Sequence, residues 1–154
     1  MALAELFPRA ARREPDTNTA WLALLILAAL ASSVTFACVT PFAAFAVLTA
    51  ATMNLPRAVA APVAIWLVNQ ALGYLALGYP FDGSSLAWGG AIGIAAVAAT
   101  VAAAGGARVG RVGLWPRLAI GFVAALVVYE GLLLVASFGL GGTENFTPDI
   151  VGKV

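Results

Sequence analysis

Residues Trp115–Phe138 read WPRLAIGFVAALVVYEGLLLVASF, and past Arg117 their only charge is Glu130. Wound as a helix at 1.5 Å per residue, the stretch is about 36 Å long, enough to cross a hydrocarbon core of about 30 Å. Working outward, the same character recurs. Ser85–Ala104 is almost wholly Ala, Gly and Val, Pro56–Gly78 carries Trp66, Asn69, Gln70 and Tyr74, and Ala20–Ala37 is uncharged. Pro41–Met53 is apolar but short, a tilted or thinly spanning helix started by a proline whose missing N–H costs nothing there. The expected fold is all-α, a polytopic transmembrane bundle of about five helices. It forms one domain over residues 20–140, between polar tails at 1–19 and 141–154.

Bulk composition agrees. The 154 residues are 62% hydrophobic and 10% charged, with mean hydropathy +0.98. Soluble domains carry about 25% charged residues, so the polar surface here is too small to wrap a globule in water. The net charge is +1, and no basic face is available for a nucleic-acid backbone. Histidine is absent and there is one cysteine. That removes the commonest general base, and it rules out an internal disulfide or a CxxC metal site. A conventional enzyme is therefore disfavoured.

Turn chemistry separates the segments at Asn54-Leu55-Pro56 and at Tyr79–Ser84. Gly89 and Gly93 form a GxxxG, and Ala91, Ala95, Ala99 and Ala103 repeat every four residues. Small faces let helices approach closely in lipid, so the fourth segment is expected at the centre of the bundle. Positive charges mark the cytoplasmic side. Arg9, Arg12 and Arg13, then Arg57, then Arg108, Arg111 and Arg117 fall at alternate ends, while the Cys38–Thr40 and Tyr79–Ser84 loops have none. Five crossings put the N-terminus in the cytoplasm and the C-terminus outside. The Thr35-Phe36-Ala37-Cys38 stretch also resembles a lipoprotein signal, but Phe36 is bulky for such a site and another apolar segment follows. The first segment is read as retained.

On this topology the candidate chemistry lies on the outer side. Asn69 is nine residues before Gly78 and Glu130 nine before Gly139, both about 13 Å deep. An isolated carboxylate at such depth costs a few kcal/mol. Glu130 is therefore expected towards the third helix, near Asn69 and Gln70. It serves either as a polar anchor in a ligand cavity or proton relay, or as an interhelical hydrogen bond that only holds helices together. Cys38 has two readings: a small apolar residue at a helix end, or a soft thiolate at the mouth of a cavity. With no second soft donor nearby, a metal held there would arrive already coordinated by a macrocycle. Phe36, Phe42, Phe45, Tyr79, Phe81 and Trp88 gather on the same side, where aromatic belts form in any case; Trp21 and Trp115 belong to the belt on the other side.

Cys38-Val-Thr-Pro-Phe42, Asn54-Leu-Pro-Arg57, Trp66-Leu-Val-Asn-Gln70, Gly78-Tyr-Pro80 and Trp88-Gly89 together resemble the BtuM-type proteins. These are cobalamin-specific S components related to energy-coupling-factor (ECF) transporters, and the resemblance covers residues 30–105. It implies a transport subunit in the bacterial inner membrane that captures cobalamin from the outer face, with Cys38 as axial ligand to the cobalt. The loop and cavity residues Phe42, Asn69, Gln70, Tyr79, Asp82, Trp88 and Glu130 would surround the corrinoid. It also implies membrane lipid and an energising transporter module as partners. S components typically have six helices where five are counted here, which bears on how the cavity would close. Two other functions fit the residues: a non-catalytic accessory subunit of a larger membrane complex, and a small proton-coupled carrier built on Glu130.

The topology is checked by labelling introduced cysteines with a membrane-impermeant reagent in a Cys38→Ser background. Ser84→Cys should react from outside and Arg111→Cys only after permeabilisation. Reaction of both from the same side would exclude the arrangement.

Overall fold

The computed structural model describes residues 15–35, 41–106 and 113–143, and these form five helices with no strand among them. They are α1 (Pro15–Thr35), α2 (Phe42–Thr52), α3 (Leu55–Leu75), α4 (Gly83–Gly106) and α5 (Leu114–Leu140). By length and composition α3, α4 and α5 can each cross a membrane, whereas the apolar part of α1 (Thr19–Ser32) and α2 are shorter. The chain is an all-helical membrane bundle.

Local chemistry sets the ends. α1 begins at Pro15, inside what reads as a polar tail, with proline in the first turn where its missing donor is harmless. Asn54 caps α3, its side chain accepting from the Arg57 N–H at 3.2 Å. α3 stops at Leu75, three residues before Gly78, whose φ of +72° turns the chain out of the helix. Pro62 lies inside α3 and is fully buried. It offers no N–H to the Ala58 carbonyl, a loss that membrane helices accommodate where neighbours pack closely.

α4 is the hub, packing on α2, α3 and most extensively on α5. Ala95, Ala99 and Ala103 of the expected stripe are buried, while Ala91 is half-buried. Three helices meet on an alanine tier of Ala43 and Ala46 from α2, Ala99 and Ala103 from α4, and Ala125 from α5. α4 and α5 approach backbone to backbone. A Cβ on Gly121 would stand 3.2 Å from the Ala103 carbonyl oxygen, and one on Gly106 would stand 3.2 Å from that of Ile120.

The GxxxG pair works differently from the backbone contact its spacing suggests. Gly93 seats the Trp66 indole and Gly89 seats the Gln70 amide, both from α3. The Trp66 Nε1–H donates to the Gly89 carbonyl at 2.7 Å. Trp21 also departs from a simple belt role. It packs against the core cluster and its Nε1–H donates to Thr52 Oγ1 at 3.0 Å, tying α1 to the end of α2. Trp115 is 79% exposed, as a belt residue should be.

Gly93→Ala would place a methyl 2.8 Å from the Trp66 ring. Thermal unfolding in detergent should show a loss of roughly 1–3 kcal/mol, the usual scale of overpacking. Gly131 faces open space, so Gly131→Ala should leave stability unchanged or raise it.

Candidate functional site

The depth of α2 shapes the candidate site. Its 11 residues make a helix of about 16 Å, half a bilayer core. Phe42, its first residue, is 3% exposed and packs on Tyr129 with ring centroids 5.8 Å apart. Tyr129 stands 11 residues before the end of α5 at Leu140, about 16 Å inside it. The same cluster contains Ile65 and Ala96, which lie ten residues before the end of α3 and 13 after the start of α4, about 15 and 20 Å in. α2 therefore starts at mid-depth and fills only the half of the bundle nearer Trp115. In the half nearer Tyr79, α2 contributes no wall.

Glu130 follows Tyr129 and is half-buried. Seven residues on, and so about 20° away around the helix, Ser137 is fully buried. Leu126, Val127 and Leu134, one turn away on either side of Glu130, are exposed, so Glu130 lies at the edge of the face of α5 that packs on the bundle, level with Tyr129. It does not meet the helix 3 amides as the sequence suggests. α5 packs on α4 and α2, α3 packs on α1, α2 and α4, and α3 and α5 share no extended interface. The depths differ as well. With α3 ending at Leu75, Asn69 is six residues from its helix end and Glu130 ten from Leu140, about 9 against 15 Å.

The other candidates scatter around this frame. Asn69 is half-buried. Gln70 is half-buried and lies on Gly89, in the α3–α4 seam. Trp88 is half-buried, seven residues before buried Ala95 and so on the same stripe of α4. Tyr79 is 38% exposed, its ring folded onto Gly73. Asp82 is exposed and caps α4, its Oδ1 accepting from the Ser85 N–H at 2.8 Å. That backbone bond, reinforced by the Ser85 hydroxyl, holds the carboxyl below its ordinary range. Cys38 lies outside the described residues, as does Phe36. Among the described residues no three His, Cys, Asp or Glu side chains come together as a metal site.

Tyr129 and Ser137 were not singled out from the sequence. The signal was there in the spacing: Gly121, Ala125 and Tyr129 step by four along one face, and Ser137 stands seven from Glu130. An open apolar groove also runs along α5, lined by Ala119, Ile120, Val123, Ala124, Val127 and Val128. Its lining is that of a lipid-facing surface. No protein-family model matches the chain, and no curated protein or solved structure is significantly similar to it.

The cap on α4 has a pH signature. A carboxylate whose folded pKa is depressed adds stability above its ordinary value of 3.8 and loses it as pH falls through the lower folded value. Wild type should melt above Asp82→Asn at neutral pH, and the gap should close on acidification below that range. A gap independent of pH would show that the charge does not contribute.

Proposed function

We propose that the protein is a membrane substrate-binding subunit that takes a corrinoid, cobalamin in the first instance, into the half of the bundle above the start of α2. The observation that carries this reading is the mid-depth start of α2, where buried Phe42 packs on Tyr129 and half-buried Glu130 stands at the same level of α5. A macrocycle needs breadth, and a helix that stops halfway provides it without a soluble domain. Chain length adds a second support. Cys38 is four residues before Phe42, so chain length alone keeps it within about 14 Å of the start of α2.

A thiolate suits a metal whose equatorial nitrogens come from the ligand itself, because one donor then completes the coordination. Cys38 is the sole cysteine in a chain without histidine, and its Pro-Phe context resembles the BtuM pattern. In this reading the buried Phe42–Tyr129 pair supports the site from within the core, and Glu130 accepts from the ligand's amide side chains. Tyr79, Trp88, Asn69 and Gln70 border the entry, and Asp82 keeps the entry loop in place by capping α4. The arginine pattern sets that entry on the outer face of a bacterial inner membrane, with the N-terminus in the cytoplasm. Release inward would require an energising module in contact with the bundle.

The test is spectroscopic. Purified protein should turn pink with cobalamin and gain thermal stability as ligand exceeds its Kd. Cys38→Ser keeps the size but removes the soft donor, so it should weaken binding and shift the visible absorption of the bound corrinoid. Equal spectra and equal affinity for wild type and Cys38→Ser would remove the cysteine from the site. Absence of any binding by wild type would remove the function.

A further inference from the structure

We propose that the hook formed by Tyr74, Tyr79 and Phe81 is a membrane anchor that lies in the boundary between phospholipid headgroups and acyl chains. The loop after α3 does not project away from the bundle. The Tyr79 N–H donates back to the Gly73 carbonyl at 3.1 Å, and the Tyr79 ring covers Gly73. Phe81 stacks on Tyr74 with centroids 4.4 Å apart, and Tyr79 meets the same ring edge-on at 6.1 Å. This brings Phe81 back to the level of the last turn of α3, a helix long and apolar enough to cross a membrane.

What the hook presents outward is apolar. Phe81 is 73% exposed and Leu75 83%, and Leu77 is exposed beside them. Leu67 on α3 and Leu86 and Ile94 on α4 are exposed as well, as residues facing acyl chains would be. Charge does not oppose insertion. Asp82 is the sole charged residue between Tyr74 and Leu86, and its carboxylate is engaged in capping α4. An aromatic cluster with two tyrosine hydroxyls and an exposed phenylalanine matches an interface that is apolar on one side and wet on the other. The occupant is therefore lipid, and the hook sets how deep the α3–α4 hairpin sits.

The experiment uses the full chain with Cys38→Ser and Leu77→Cys, carrying an environment-sensitive fluorophore, in phosphatidylcholine vesicles. Quenching by lipids bearing a nitroxide near the headgroup is compared with quenching by a water-soluble nickel chelate. The lipid quencher should dominate, and adding Phe81→Ser should shift quenching towards the chelate. Dominance of the chelate in the parent would overturn the proposal, because the loop would then stand in water. Protection from both would overturn it in favour of a protein partner or a second copy. An unchanged pattern with Phe81→Ser would deny the aromatic stack its anchoring role.

Discussion

In a bilayer, apolar surface gains little by leaving lipid for protein, so helices hold together through close packing and a few hydrogen bonds. α4 is where this bundle meets that demand. Its alanines let α2 and α5 approach on one tier, and its carbonyl at Ala103 comes within van der Waals reach of Gly121. On another side its glycines are notches that seat the Trp66 indole and the Gln70 amide. A larger side chain at any of these positions separates two helices at once. α2, α3 and α5 take their positions from α4, and α1 is held through α3 and the end of α2.

The placement of α2 follows from it. A helix of 11 residues cannot reach both faces of a membrane, and small-residue contacts fix it at one end of the bundle. Trp21 of α1 holds that end through Thr52. The opposite end of α2 then begins against Tyr129, well below the ends of its neighbours. Among the described residues the two halves of the bundle therefore differ, since α2 contributes to only one of them. The proposed ligand site depends on that asymmetry more than on any single polar group.

Polar side chains elsewhere are kept quiet. Thr49, Thr100 and Ser137 are fully buried, and each hydroxyl donates to a carbonyl three or four residues earlier in its own helix. No buried side-chain polar atom is left unpaired among the described residues. Against this background Glu130 stands out as the one carboxylate within α5, half-buried and on a helix that shares no extended interface with α3.

Much was legible from composition and order. Hydropathy is a sum over neighbouring residues, so spans such as Trp115–Phe138 declare themselves without knowledge of the fold. Turn chemistry at Asn54-Leu55-Pro56 and Tyr79–Ser84 located two helix boundaries within a few residues. The alanine spacing of α4 marked it as central, because only small residues allow close approach on several sides. Which helices become neighbours was decided by tertiary structure. Helices apolar all round carry no amphipathic stripe to orient them, so nothing in the order of residues separates Glu130 from Asn69 or sends Gly89 and Gly93 to α3 side chains. The depth of α2 was equally hidden. A short apolar run has no preferred level in hydrocarbon, and only the alanine tier and the Phe42–Tyr129 contact hold it in one half of the bundle.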